Sequence, residues 1–186
     1  MKTNLKHISS IQTGLFAKPS GKGEVVYLQS KHFDENGLLL SALYPDLMFE
    51  GISNKHLLKT GDVLFAAKGS KNFAAVFENH NVPSVASTSF FVFRVTDKNI
   101  MPEYLAWFLN HPSTQEILKR TARGTSIPSI RKSILEDIEI PIPNIETQKT
   151  IFKISTLRNT EKKLRNDIDS LKEKQIQSKL LRAISQ

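Results

Sequence analysis

The stretch DIEIPIPNIE, residues 137–146, marks the point where two kinds of structure meet in this chain. Apolar and other residues alternate up to Pro143, as in a strand with one buried face, and Pro141 within the run indicates an edge strand. Asn144 is a plausible helix N-cap, and Glu146 puts a carboxylate in the first turn, where the helix dipole favours it. The stretch therefore predicts that a sheet ends and a helix begins here.

The helix is expected to continue almost to the C-terminus, because neither Gly nor Pro interrupts residues 144–186 and apolar residues recur mostly every three, four or seven positions. Roughly forty helical residues would extend about 60 Å, too far for a domain of this size to cover. The apolar stripe therefore needs a partner helix, as in a coiled coil. Lys174 and Gln175 interrupt the stripe, which leaves a short hairpin open as an alternative. The side chains expected to mediate dimerisation are Ile151, Ile154, Leu157, Leu164, Ile168, Leu171 and Leu181.

Residues 1–143 have the texture of a strand-rich domain, with short apolar or alternating runs separated by Gly, Asn, Pro and Ser. Runs rich in Val and Phe suit half-buried pleated surfaces. They predict strands near residues 24–29, 62–68, 74–77 and 90–95. The expected fold class is α+β, with a strand-rich domain over residues 1–143 and a long helix over residues 144–186.

A small helical pair is predicted after the strands and is expected to pack on the sheet. Pro102 suits the first turn of a helix, and a wide apolar face follows it. In the second helix, Ser113 and Glu116 have the spacing of a capping box. Ile117 and Leu118 are expected on its buried side.

Composition narrows the function classes. The 186 residues carry a formal net charge of +8, and residues 147–186, with ten basic and four acidic residues, contribute +6 of it. Such a balance points to a polyanionic partner, although Lys and Arg on a long helix are often only its solvated face. The absence of cysteine excludes disulfides and thiolate chemistry and fits the cytoplasm. No apolar run approaches the roughly 18 residues of a membrane span.

The sequence does not indicate an enzyme. Its histidines are scattered without metal-ligand spacing, and none lies near a recognisable nucleophile motif. They are His7, His32, His56, His80 and His111. No Gly-rich segment has the form of a phosphate-binding loop or a dinucleotide fingerprint. We therefore expect no catalytic residue, no metal site and no cofactor.

Three basic segments are candidate DNA contacts: residues 18–23 with 31–32, residues 68–72, and a loop over residues 119–132 that has five basic residues and no acidic one. Lys and Arg neutralise phosphates, while Arg and Asn form forked contacts with guanine and adenine. An ordinary surface loop, a solvated hairpin turn and a structural turn remain the alternatives. The candidate contacts are Lys18, Lys22, Lys31, Lys68, Ser70, Lys71, Asn72, Arg123, Thr125, Ser126, Ser129, Arg131 and Lys132.

Three phrases, in this order, resemble the specificity subunits of type I restriction-modification systems. They are KTGDVLF at residues 59–65 with a Gly-Ser pair after it, PEYLAWFLN at residues 102–110, and GTSIPSI at residues 124–130 leading to IEIPIP at residues 138–143 and Gln148. Each phrase alone is weak evidence for the family, but the three together are specific to it. In that family the GTSIPS phrase recurs whatever DNA is read, which favours an ordering or backbone role over base reading.

The resemblance implies a target recognition domain followed by a long helix that forms a coiled-coil spacer. A full-length specificity subunit looks like two such units in tandem, and this chain departs from that pattern by resembling the half-length form, with one of each. The resemblance also implies double-stranded DNA and modification (methyltransferase) subunits as partners, and through them the restriction subunit. Residues 161–182 are expected to contact proteins more than DNA. S-adenosylmethionine and ATP belong to the other subunits, so this chain should need neither.

If one unit acts alone, two copies could pair antiparallel as a homodimer, and their two-fold symmetry would demand a palindromic, split site. The alternatives are a coiled-coil adaptor that does not bind DNA and a regulator that mimics half a specificity subunit.

Overall fold

The computed structural model describes residues 2–34, 36–69, 71–78, 82–122 and 128–184. Its chain divides into two compact units, Met1–Gln148 and Lys149–Gln186. The elements are β1 (Lys2–Asn4), α1 (Leu5–Ile8), β2 (Ser9–Thr13), β3 (Val26–Leu28), β4 (Val63–Ala66), β5 (Ala74–Val76), β6 (Ser84–Ala86), β7 (Phe90–Val95), α2 (Pro102–Asn110), α3 (Pro112–Thr121), α4 (Lys132–Glu136), β8 (Glu139–Pro141) and α5 (Ile145–Ile184). Strand-rich sheets with a long C-terminal helix confirm the predicted α+β class.

The first unit is built on an antiparallel four-stranded sheet with the order β2-β7-β4-β5. A parallel pair of β3 with β6 and an antiparallel pair of β1 with β8 complete the strands. The four strands predicted before residue 100 are present as β3, β4, β5 and β7. Strands β1, β2 and β6 and the short helices α1 and α4 were not predicted.

The strand β4 is buried along its whole length, because both faces of the sheet are covered. On one face, Leu64 joins an apolar cluster that includes Val26 and Leu28 of β3 and Phe90 of β7. The helix α2 contacts β4 and β5, as the predicted packing of the helical pair on the sheet requires.

The predicted capping box of α3 is wrong. The helix begins at Pro112, so Ser113 lies inside it and His111 is the N-cap. The Nδ1 atom of His111 accepts a hydrogen bond from the backbone N–H of Ser113 at 3.4 Å. Glu116 instead forms an exposed ion pair with Arg120, one turn further on, at 2.6 Å. With Pro112 at the first helical position, the cap lies two residues earlier than the Ser-Glu spacing indicates.

The burial predicted for α3 is half right. Leu118 is fully buried, but the side chain of Ile117 is 59% exposed. Thr114 is the other buried residue of this helix and lies four positions before Leu118. That spacing defines a narrow buried face, and Ile117 falls beside it.

The long helix α5 begins as predicted. The Oδ1 atom of Asn144 accepts a hydrogen bond from the backbone N–H of Thr147 at 2.8 Å, as an N-cap does. The helix continues without a break to Ile184, so the hairpin left open near Lys174 is not formed. Among the described residues, no helix is both long and apolar enough to cross a membrane.

Gln148, in the first turns of α5, is fully buried and makes three hydrogen bonds to backbone groups. Its Oε1 atom accepts from the Met101 N–H at 2.9 Å, and its Nε2 atom donates to the carbonyls of Asn99 at 2.7 Å and Pro143 at 2.8 Å. The side chain thus links the start of α5 to the start of α2. Gln148 belongs to the third phrase quoted from the sequence, but that phrase did not indicate this role.

A buried ion pair joins β4 to β7. The carboxylate of Asp62 is 1% exposed and accepts two hydrogen bonds from Arg94, at 2.8 Å from Nε and 2.6 Å from Nη2. Asp62 also accepts from the Lys59 N–H at 2.8 Å, and Arg94 donates to the Leu57 carbonyl at 3.2 Å. The hydrogen bonds that Arg94 donates to Asp62 raise the pKa of Arg94 above its usual value.

We expect Asp62→Ala to lower the free energy of unfolding by roughly 3 kcal/mol, because it leaves a partly buried guanidinium without its counter-charge. Urea unfolding followed by circular dichroism measures the loss. Lys6→Ala is the matched control, since it removes an ion pair to Asp137 whose side chains are both well exposed and should barely change stability. Equal losses in the two variants would show that the Asp62–Arg94 pair contributes no more to stability than an exposed ion pair.

Candidate nucleic-acid interface

Two of the predicted DNA-binding segments lie side by side. Ser129 pairs with Lys68 in an antiparallel bridge. The Gly69 N–H donates to the Pro128 carbonyl at 3.0 Å, and the Ile130 N–H donates to the Ala67 carbonyl at 2.9 Å. Residues 128–130 therefore run along residues 67–69, although about 60 residues separate them in the chain.

This pairing brings together the basic residues on either side of it. Lys68, Lys71, Arg131 and Lys132 are all exposed. Lys132 forms an i,i+4 ion pair with Glu136 at 3.4 Å. Exposed pairs of this kind are weak, so a phosphate could compete for the ammonium group. The four cations define what we call the hairpin surface.

Asn72 has a structural contact at the base of the β4–β5 connection. Its Nδ2 atom donates to the Ala66 carbonyl at 2.8 Å, and the side chain is partly buried. This hydrogen bond supports the alternative that the segment is a hairpin turn. The Gly69 backbone, at φ +103°, has the left-handed conformation that glycine tolerates best. Base reading by Asn72 stays a prediction.

Asn110, the last residue of α2, fixes the neighbouring strand. Its Oδ1 atom accepts from the Ala74 N–H at 2.7 Å and its Nδ2 atom donates to the Ala74 carbonyl at 2.8 Å. The amide thus pairs with the backbone of Ala74 in β5 as another strand would. This contact lies three residues after Lys71 of the hairpin surface. Asn110 closes the phrase at residues 102–110, but the phrase alone did not reveal this role.

The segment around Lys31 also packs near the hairpin. Lys31 is exposed in a single 3-10 turn, Ser30–His32. The ring of Phe33 lies 5.5 Å from that of Phe73 and 5.7 Å from that of Phe90, measured between centroids. The aromatic contact joins this turn to the strand that follows Asn72.

The remaining predicted region, residues 18–23, is held by a hydrogen bond to Asp46. The Ser20 N–H donates to the Asp46 carbonyl at 2.8 Å. Lys18 and Lys22 are exposed within it. The negative charge of Asp46 also acts to raise the pKa of His32, the neighbour of Lys31.

Part of the predicted loop over residues 119–132 differs from expectation. Its first residues, Lys119 and Arg120, belong to the last turn of α3 and are not in a loop. Four candidate contacts lie outside the described residues: Ser70, Arg123, Thr125 and Ser126. Within the described ranges, no group of three or more His, Asp or Glu side chains is placed to hold a metal ion.

Comparison with known proteins decides the family. The model of the type I restriction modification DNA specificity domain matches residues 12–170. This chain belongs to that family. The specificity subunit of the type I restriction enzyme MjaVIII of Methanocaldococcus jannaschii is 32% identical over 107 residues, which are 57% of this chain and 24% of that protein. The HindI specificity subunit of Haemophilus influenzae is 30% identical over 105 residues, 55% of this chain and 23% of that protein.

Solved structures of specificity subunits have the same fold. The HsdS subunit from Thermoanaerobacter tengcongensis aligns with a TM-score of 0.63 at 20% identity, over 89% of this chain and 44% of that one. The type I S subunit from M. genitalium aligns with a TM-score of 0.57 at 20% identity, over 89% and 40%. This specificity-domain chain therefore spans less than half of the relatives it matches.

Histidine 32 makes the turn beside Lys31 sensitive to pH. Its Nδ1 atom accepts a hydrogen bond from the Gln29 N–H at 3.2 Å, which requires that nitrogen to be unprotonated. Burial lowers the pKa of His32, the charge of Lys31 lowers it further, and Asp46 opposes them. Because the folded pKa lies below the unfolded value of 6.5, the unfolded chain takes up the proton first as the pH falls.

We therefore expect the stability contributed by neutral His32 to be present above about pH 6.5 and to be lost progressively below it. The variant His32→Asn, which keeps an acceptor and does not titrate, should show a flatter decline of the urea midpoint between about pH 7 and 5. His7→Asn, at an exposed histidine, is the control. Parallel declines for all three proteins would rule out the effect.

Proposed function

We propose that this chain reads a short DNA sequence as half of a type I specificity subunit and directs modification and restriction subunits to a bipartite site. One observation carries the proposal: in a DNA specificity domain, the pairing of residues 67–69 with residues 128–130 gathers the cations of the hairpin surface. Clustered cations supply phosphate affinity, and Arg131 adds the forked donor that suits guanine.

In this proposal the two parts of the chain have separate tasks. Residues 1–143 form the target recognition domain, and residues 144–186 form the spacer and dimerisation element. The chain supplies recognition and no catalysis of its own, so it needs no cofactor, and it acts in the cytoplasm. The described candidate contacts, Lys18, Lys22 and Lys31 among them, neutralise phosphates or read bases.

The C-terminal helix supports the proposed homodimer. Its large apolar side chains are exposed in the single chain, each by at least 39%, apart from the partly buried Ile145 and Ile151. They are Phe152, Ile154, Leu157, Leu164, Ile168, Leu171, Ile176, Leu180, Leu181 and Ile184. Exposed apolar stripes of this length are typical of helices with a partner helix. Antiparallel pairing of two copies would place two recognition domains about a two-fold axis and select a palindromic, split site.

Modification subunits are the second proposed partner, with residues 161–182 as their contact. The restriction subunit joins through them. The proposal is tested by selecting from a random duplex DNA pool at near-physiological salt, with and without a cognate modification subunit. Recovery of a split motif supports it. No enrichment under either condition, with folded protein and bound partner, would refute it.

Salt dependence separates phosphate contacts from incidental surface charge. On the recovered site, the double variant Lys68→Ala/Lys71→Ala should weaken binding and reduce the slope of log Kd against log salt by about 2, near one unit per lost phosphate contact. Lys98→Ala is the control, because Lys98 is exposed but outside the candidate set. An unchanged slope in the double variant would remove the hairpin surface from the DNA interface.

Dimerisation is tested on the helix itself. Leu164→Glu places a charge in the apolar stripe and should shift the chain from dimer to monomer in sedimentation equilibrium at micromolar concentration, with its helicity largely kept. Asn166→Glu, two positions on and therefore on another side of the helix, introduces the same side chain as a control and should leave the dimer intact. A monomeric parent chain would overturn the homodimer.

A further inference from the structure

Phe16 is a large aromatic side chain that the fold holds in solvent. Its side chain is 76% exposed, although both neighbours in the chain face inward. Leu15 and Ala17 are partly buried against the apolar cluster of Val25, Tyr27, Leu47 and Val85. A single exposed apolar residue is ordinary. Phe16 differs because the backbone on each side of it is fixed.

The preceding residues are fixed by the sheet. The Leu15 N–H donates to the Ala86 carbonyl at 2.9 Å, and the Gly14 N–H donates to the Phe90 carbonyl at 3.1 Å. A Cβ atom at Gly14 would lie 2.1 Å from the Ser87 carbonyl oxygen, so only glycine permits this approach. The backbone that precedes Phe16 is therefore held in one position.

The following residues are fixed by Tyr27, which is 3% exposed. Its hydroxyl donates to the Leu15 carbonyl at 3.0 Å and accepts from the Ala17 N–H at 3.3 Å, so the two contacts bracket Phe16. The backbone N–H of Tyr27 donates to Asp46 Oδ1 at 2.9 Å, and the Asp46 carbonyl accepts from the Ser20 N–H at 2.8 Å. Tyr27 thus holds both ends of the short segment that contains Lys18.

Charge distinguishes this surface from the other exposed apolar surface of the unit. Residues 14–23 contain Lys18 and Lys22 and no acidic residue. Residues 33–44, which present Leu38, Leu40 and Tyr44 to solvent, contain two acidic residues and no basic one. A polyanion is attracted by the first surface and repelled by the second.

We infer that Phe16 is a specificity-determining contact, held by Tyr27, whose ring packs against bases in a groove while Lys18 and Lys22 neutralise the adjacent phosphates. The inference rests on the proposed function and adds to it. Phenyl rings contact thymine methyl groups and wedge between base steps, so an apolar side chain followed closely by two cations suits duplex DNA. Tyr27 is a positioning residue, because it acts through the backbone around Phe16.

The test uses the full chain and the duplex recovered from the random pool by the parent protein. Phe16→Ala should bind this duplex roughly tenfold more weakly, with an unchanged slope of log Kd against log salt, and should relax the preference at one or two base pairs. Lys18→Ala should reduce the slope by about 1 without relaxing the preference. Leu40→Ala, at another well-exposed residue in the acidic segment, should match the parent.

Tyr27→Phe tests the positioning role, because it removes only the hydroxyl. It should weaken binding, and adding Phe16→Ala should cost less than it does in the parent, since both changes act on the same ring. A thermal midpoint lowered by a few degrees at most would show that the fold is intact. Independent, additive losses would overturn the positioning role.

The outcomes separate this inference from the proposed function. If the parent selects a DNA motif and Phe16→Ala binds it with the same affinity and preference, the base contact is overturned while the proposed function stands. If Phe16→Ala loses only its binding to the modification subunit, Phe16 is a protein contact and the inference also fails. If the parent selects no DNA with that subunit bound, the proposed function fails first.

Discussion

The ion pair between Asp62 and Arg94 constrains the part of the molecule on which the candidate interface is built. A carboxylate with 1% exposure is costly unless it is paired and hydrogen-bonded, and here Arg94 and the Lys59 N–H supply the donors. Because Asp62 precedes β4 and Arg94 lies in β7, the pair favours the observed register, with Val63 opposite Phe93. The connection that carries Lys68 and Lys71 continues from this strand.

Three polar side chains from the quoted phrases make structural contacts. Asp62 pairs with Arg94, Asn110 binds the backbone of β5, and Gln148 links the starts of α2 and α5. All three satisfy buried or partly buried backbone groups, which are expensive to leave without partners. The phrases therefore describe how the domain is held together. The exposed cations and Phe16, among the described residues, are left accessible to a ligand.

The sequence predicted the elements whose signals are local. The helix α5 has a long apolar period and an Asn144 cap, and β4 and β7 are rich in Val and Phe, so propensity and period agreed with the fold. It could not predict β1, whose three residues pair with β8 through Thr3 and Ile140, because the partner lies far away in the chain. For the same reason the sequence could not predict the pairing of Lys68 with Ser129, or the contacts that hold the backbone on either side of Phe16. Each depends on contacts that only the folded chain creates.

The distribution of charge bears on why two copies would be needed. Residues 147–186 hold +6 of the net charge of +8, so residues 1–146 carry only +2 in total, although the hairpin surface within them is locally basic. A nearly neutral unit gains little from long-range attraction to DNA, and its affinity depends on a few local cations. Linking two such units through α5 makes the second binding event intramolecular and raises the overall affinity without any new DNA contact. In the proposed dimer, the helix therefore sets both the spacing of the two half-sites and the strength with which they are held.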